Sequence, residues 1–571
     1  MIGSYPPALT LVLGALLIPL LPGRLKKVAI LLLPVISFVH LLGLDPGESW
    51  HITLFDYQLT VVRIDKLSLL FGYLFHIAVF LGLIFSLNVR GSLHHVAALV
   101  YAGAALGAVF AGDLITLFVW WELLSLSSVF LIWARGTERA NRAGMRYLII
   151  QITSGVILLA GILLHVNETG SIAFDREHLS PFGLATGLIL LAFGIKCAFP
   201  LLHNWLTDAY PEATPGGAVF LSAFTTKVAV YALARGFAGL EIGDVKVLVY
   251  VGAAMTAFPI FFAVIENDLR RVLAYSMINQ IGFMVCGIGI GTELAVNGAV
   301  SHAFNDVLFK GLLFMSMGAV LYRTGKMNGS ELGGLYRSMP ITAGLCMVGA
   351  ASISAFPLFS GFVSKSMVMT AALDEGYGIV WLALLFASAG VFHHAGIKIP
   401  FFTFFAHDSG IRCKEAPRNM LIAMSIAAGL CIFNGCFPRV LLYPLLPYAV
   451  HYEPYTSGHV ISQLQLLFFS ALAFTWLKLS GLYPPELRSV NLDVEWTYRR
   501  WLPAMARGVL RVGGLARARV GDALQANATR MLGGVYRHHG PQGVFARTWP
   551  TGSTVLWVAL LLGAILILYY V

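Results

Sequence analysis

The stretch FGIKCAFPLLHNWL, residues 193–206, sets Lys196 four residues ahead of Pro200 inside an otherwise apolar run. A second stretch, AFPLFSGFVSKS at 355–366, repeats the letters AFPL around Pro357 and again has a lysine, Lys365, close by. Each proline removes one backbone hydrogen bond and pushes the preceding turn aside. Broken backbone survives at membrane depth only where it faces protein or water. The breaks therefore place Lys196 next to a hydrated pocket and Lys365 just past a second one, provided the surrounding chain lies in lipid.

Composition supplies that condition. Of 571 residues, 58% are hydrophobic and 12% charged, with a mean hydropathy of +0.78. A soluble domain is about a quarter charged. Apolar runs of roughly 18 residues or more, long enough to cross a bilayer core, recur from end to end. The expected fold class is an all-α polytopic membrane protein with about sixteen transmembrane helices. They lie near 8–22, 27–44, 66–88, 94–111, 113–133, 145–166, 183–203 and 215–236, then 246–264, 272–290, 295–322, 340–370, 378–405, 418–437, 459–480 and 553–571. The first of these lacks a basic n-region and a small-residue cleavage pattern, so it reads as a retained span.

Alternation places the 22–27 turn, Arg90, Arg135, Arg139, Arg142, Arg270, Arg271, Arg323, Lys326, Arg412 and Lys414 on one side, as the positive-inside rule requires of the cytoplasm. Both ends of the chain then face outward. Between Pro485 and Pro550, ten arginines face four acids, so +6 of the net +10 lies there. Trp501, Leu502, Met505, Val509, Val512 and Leu515 recur at helical spacing among those arginines. The segment reads as an amphipathic helix along the cytoplasmic surface, interrupted at Gly513-Gly514 and Pro541, with a flexible linker as the bland alternative. Such a segment suits an anionic membrane surface or a partner subunit rather than nucleic acid.

The two AFPL copies fall in the seventh and twelfth spans, five apart. A five-span repeat crosses the membrane an odd number of times, so the second copy is inverted relative to the first. The expected organisation is 1–93 for three leading spans, 94–240 for one five-helix repeat and 241–410 for its inverted partner. Accessory spans follow at 411–484, then the basic surface segment at 485–551 and a final span at 552–571. Each repeat holds one proline-broken helix.

Other ionisable residues fall well inside spans. Glu122 lies in LFVWWELLSL and Lys227 in AFTTKVAVYAL. His302, Asp306 and Lys310 follow one another at four-residue intervals in SHAFNDVLFKGLLF. Four residues is about 400° of helix rotation, so the three share one face over about 12 Å, the geometry of a proton relay. Each charge near the bilayer centre costs about 2.5–3.5 kcal/mol on insertion scales. Any one of them has a second reading as a structural ion pair, and His302 as a hydrogen-bonded core histidine; charges in five spans together point to use. Lys398, in GIKIPFF, is expected to reach the cytoplasmic interface, and Asp113 to cap a helix. The cysteines show no C-x-x-C pair or spacing for zinc, haem or iron–sulfur ligation, and no Gly-rich phosphate loop follows a strand pattern. No metal and no cofactor is expected.

At these residues the chain resembles the antiporter-like subunits shared by respiratory complex I, membrane-bound hydrogenases and Mrp-type sodium/proton antiporters. LFVWWELLSL, GIKCAFPLLHNWLTDAYPEATP, TTKVAVYALAR, DLRRVLAYSMINQIGFM, SHAFNDVLFKGLLF and AFPLFSGFVSKS carry the likeness over roughly residues 60–410. It implies that Glu122 and Lys196 form a charge-switching pair, with Lys227 as the central relay lysine. It also implies that His302, Asp306 and Lys310 continue the path and that Lys365 ends the second half-channel. Asp306 departs from the histidine often found there in the largest complex I subunit. TTKVAVYALAR and FNDVLFKGLLF look closest to the D type of Mrp subunit, whereas NLDVEWTYRR looks more like hydrogenase-linked and large complex I subunits. The resemblance implies a proton-translocating subunit of a multisubunit cation/proton antiporter, moving protons with or without sodium alongside other membrane subunits. The alternative is a pumping subunit of a redox complex of the NADH–quinone oxidoreductase or hydrogenase type, with all redox chemistry in its partners. A scaffold retaining dead channel residues is a third reading, against which the intact charges argue. A bacterial inner membrane is the expected location.

Overall fold

The computed structural model describes residues 5–179, 182–483, 486–487 and 491–571. Among these, thirteen helices are long and apolar enough to cross a membrane, and Pro7–Leu20, Leu184–Lys196 and Pro340–Ile353 are shorter apolar helices. The chain is a mostly helical, multi-pass membrane protein. It divides into two units, Met1–Asn491 and Leu492–Val571.

Within the first unit, burial sorts the helices. The most apolar windows of Pro215–Phe237 and Leu269–Ile290 are 100% buried and that of Glu293–Thr324 is 94% buried, against 11% for Ser457–Leu479. The helices carrying Lys227, His302, Asp306 and Lys310 are thus enclosed by others that meet the lipid. Asp113 caps Leu114–Trp133 as expected: its carboxylate accepts from the Thr116 amide at 2.7 Å.

A two-stranded antiparallel hairpin, Gly47–Leu54 with Tyr57–Ile64, departs from the all-α expectation. Its turn is Phe55-Asp56, with Phe55 at φ 53°. The Thr60 amide donates to Asp113 at 2.8 Å, tying the hairpin to a helix start.

Both AFPL copies break their helices, and in the same way. Leu184–Lys196 stops at Cys197, and the chain resumes helix at Asn204–Ala209. Pro340–Ile353 stops at Ser354 and resumes at Ser360–Asp374. Ala198 and Leu201 have φ of 60° and 71°, and Ala355 and Leu358 have φ of 57° and 75°. The Phe199 amide donates to Gly194 O and the Phe356 amide to Ala351 O, both at 3.0 Å. Left-handed backbone at Ala and Leu is unfavourable and is held only by surrounding structure. A third interruption lies at Phe224, between Pro215–Ala223 and Thr225–Phe237. There the Thr225 amide donates to the Tyr101 hydroxyl at 3.0 Å instead of continuing the helical ladder. The stretch after the first break is clamped by Arg146 on Asp208 at 2.7 Å and by Arg270, which donates to the carbonyls of Pro211 and Ala213 at 2.9 Å each.

In the second unit, Leu502–His539 is one helix of 38 residues, followed by Thr551–Tyr570. The interruption expected at Gly513-Gly514 is not there. Two glycines cost about 1 kcal/mol each in a helix, which neighbours of good propensity carry without a break. The helix does end at Gly540, just before Pro541. Residues 485 and 488–490 of the basic segment lie outside the described residues.

Candidate functional site

The break after Lys196 leaves that side chain at the last helical residue, wholly buried. Its ammonium donates to Trp121 O at 2.8 Å and Ser125 Oγ at 2.7 Å, and sits 4.4 Å from the Trp121 ring centre. Glu122 follows Trp121 on the same helix and is half-buried. Its Oε1 is enclosed without a hydrogen-bond partner and faces Gly155 of Glu138–Thr169, where a Cβ would lie 1.3 Å from it. The two groups are neighbours, yet no ion pair joins them among the described residues.

Lys227 and Asp306, from helices with no sequence pattern in common, meet at 2.6 Å with both side chains at 0% exposure. The Lys227 ammonium also donates at 3.1 Å to Ser222 O, which lies just before the interruption at Phe224. Four residues to either side of Asp306 on Glu293–Thr324 stand His302 and Lys310, both buried. Lys310 donates to Ser276 Oγ at 2.8 Å. The His302 ring bridges Ser364 Oγ at 2.9 Å and Gln280 Oε1 at 3.2 Å. Ser364 adjoins Lys365, whose ammonium takes Ile353 O at 2.7 Å, a carbonyl at the second break, and lies 5.1 Å from the Phe283 ring centre. Pro200 and Pro357 thus frame the two ends of the row, although Lys196 precedes its break and Lys365 follows its own.

The arrangement has a consequence for charge. Lys196, Lys310 and Lys365 are held by neutral oxygens, and only Lys227 touches a carboxylate. Four lysines against Glu122 and Asp306 would leave two positive charges uncompensated if all were ionised. Uncompensated charge in a low-dielectric interior costs several kcal/mol, so the number of protons in the row depends on what each member's neighbours hold.

Sequence reading missed the hydroxyls that link these groups. Ser128 Oγ lies 2.8 Å from Tyr147 Oη, which is 3.5 Å from Thr225 Oγ1, itself 2.6 Å from Tyr101 Oη. All are buried between Ser125 and the Lys227 helix. Tyr101, one polar tip in an apolar span, is the trace they leave in the sequence. Lys398, expected to reach the cytoplasmic interface, is 0% exposed and paired with Glu486 at 3.0 Å. Pro400 lacks an N–H and crowds the carbonyl four residues before it, and the backbone widens to a π-helix over Phe392–Lys398, which turns the lysine inward.

Residues 111–393 match the family described as NADH:quinone oxidoreductase/Mrp antiporter, transmembrane. The chain is 32% identical over 434 residues to the A component of the Na(+)/H(+) antiporter of Alkalihalophilus pseudofirmus, covering 67% of this chain and 53% of that protein. It is 35% identical over 314 residues to the N component of the NADH-quinone oxidoreductase of Desulforudis audaxviator, covering 52% and 62%. The chain spans about half the length of several curated relatives it matches. In fold it follows a chain of the membrane-bound sulfane sulfur reductase, an archaeal respiratory membrane complex, with a TM-score of 0.71 at 22% identity over 98% of this chain and 99% of that one.

Proposed function

The chain belongs, through residues 111–393, to the NADH:quinone oxidoreductase/Mrp antiporter transmembrane family, and on that premise we propose that it is the proton-translocating subunit of a multisubunit sodium/proton antiporter, of the Mrp D type. The observation that supports this most is the buried Lys227–Asp306 pair at 2.6 Å, which links the Lys196 side of the row to the Lys310 side. In this reading the chain crosses the membrane sixteen times, and 94–240 and 241–410 are opposed half-channels. A proton arriving near Glu122 repels the proton on Lys196, which passes through the Ser125, Ser128, Tyr147 and Thr225 hydroxyls and water to Lys227. Charge arriving there loosens Asp306 and drives the next transfer, along His302 and Lys310 to Lys365. The arginine-bearing face and the Leu502–His539 helix are cytoplasmic, the membrane is a bacterial inner membrane, and the partners are other membrane subunits of the complex.

Sodium-dependent proton flux out of acid-loaded inverted vesicles tests the reading. Lys227→Ala is expected to stop flux while the complex still assembles; wild-type flux in that variant would sink it. A second reading, the pumping subunit of a redox complex, draws support from the end-to-end likeness of fold to the sulfane sulfur reductase chain. Subunits recovered with the native complex separate the two: small antiporter subunits favour the first, iron–sulfur subunits the second.

A further inference from the structure

Lys398 and its surroundings form a second buried titratable cluster that the row just described does not use. Besides Glu486, the ammonium meets Val264 O at 2.6 Å and Glu266 O at 2.7 Å, at the C-terminal end of Val247–Ile265. The Glu266 carboxylate is 5% exposed, accepts from Asn491 Nδ2 at 3.2 Å and lies 3.9 Å from Arg271, whose side chain is 29% exposed. The cluster therefore opens toward the arginine-bearing face. One turn inward from Lys398, and on the same side of the π-helix, stands His394. It is 0% exposed, and its ring has the Gly390 carbonyl one turn back and no other polar partner among the described residues. The ring is within electrostatic reach of both Lys310 and Lys398. The segment also abuts the second break, where a Cβ at Gly396 would lie 2.3 Å from Ser354 Oγ.

Helix capping accounts for the carbonyls that Lys398 binds, since a cation suits a helix C-terminus. It does not account for the buried imidazole one turn further in. A buried ring nitrogen left without a partner carries a desolvation penalty of about 1–3 kcal/mol, which a chain of water molecules through the site would remove. Wide-turn helical segments of this kind cluster at functional sites.

We propose that Phe392–Lys398 carries a second proton passage, joining Lys310 to the arginine-bearing face through His394, Lys398 and the carboxylates of Glu486 and Glu266. Lys398 gives a proton to Glu486, which releases one to water, and Lys398 is reprotonated through His394 from Lys310; one proton leaves Lys310 and one reaches the arginine-bearing face. His393 and Lys478 also face the cluster. The inference rests on the proton-transport reading and deepens it by assigning the second half-channel an opening.

The test uses the whole complex in inverted vesicles. His394→Gln and Glu486→Gln are each expected to slow flux about tenfold or more at equal amounts of assembled complex. The thiol introduced by His394→Cys is expected to react with a membrane-impermeant reagent added on the arginine-bearing side, above the reaction of the parent chain. Flux within about twofold of wild type in both glutamine variants overturns the passage. So does an unreactive thiol, which also decides the matter if the glutamine variants fail to assemble. Lys227→Ala in the same vesicles separates the two levels. If it alone stops flux, only the passage is wrong; if it too leaves flux intact, the transport reading has failed.

Discussion

Replacing Asp306 by asparagine isolates the pair at the centre of the row. Lys227 and Asp306 are 2.6 Å apart and neither is exposed. At that separation, with an effective dielectric of about 20, their attraction is about 6 kcal/mol, much of it offset by desolvation of the two charges. Removing one partner strands the other charge, an effect of about 3–5 kcal/mol, whereas replacing both by apolar groups of similar volume is about neutral. Asp306→Asn and Lys227→Met are each expected to lower stability by about 3–5 kcal/mol, and the double variant Lys227→Met/Asp306→Leu to recover most of it. All three are expected to lack proton flux. The assay pairs thermal melting of the detergent-solubilised complex with a vesicle pH-gradient measurement. Asp306→Asn melting at the wild-type temperature would show that the pair carries no energy. A double variant that regains flux along with stability would show that the pair is scaffolding and the relay runs elsewhere.

Three further outcomes are expected. Glu122→Ala and Lys196→Ala each abolish coupled ion movement in an assembled complex, and wild-type transport in either counts against their pairing. Gly155→Ala, whose Cβ would meet the Glu122 carboxylate at 1.3 Å, displaces the flexible end of that side chain, so flux falls while the melting temperature holds; unchanged flux would show that the carboxylate's position is not critical. Ala198→Gly and Ala355→Gly relieve positive φ at the two breaks and raise stability by about 0.5–1 kcal/mol each, unless the strain there is absent, in which case melting drops.

Charges set into apolar runs, and prolines beside them, were visible in the sequence because lipid makes both expensive. Spacing alone put His302, Asp306 and Lys310 on one helical face. What sequence could not show is which helices meet: Lys227 and Asp306 are far apart in the chain, and only packing makes them a pair. The hairpin at Gly47–Ile64 falls between apolar spans, and its trace in the sequence is the branched and aromatic residues of WHITLF and YQLTVVRI, which suit strands. The widened backbone before Pro400 that turns Lys398 inward has no signature of its own in the sequence. Phe224 gave no warning of an interruption, since the group that replaces the lost ladder bond is a tyrosine hydroxyl from a distant helix.

The enclosure of Pro215–Phe237, Leu269–Ile290 and Glu293–Thr324 bears on how this protein tolerates its surroundings. The helices that bear Lys227, His302, Asp306 and Lys310 are almost wholly enclosed by other helices, so the outer helices serve as insulation. Bilayers of differing thickness or headgroup can press on that sleeve and leave the inner spacings alone, and substitutions on its outward surface are free to follow the lipid.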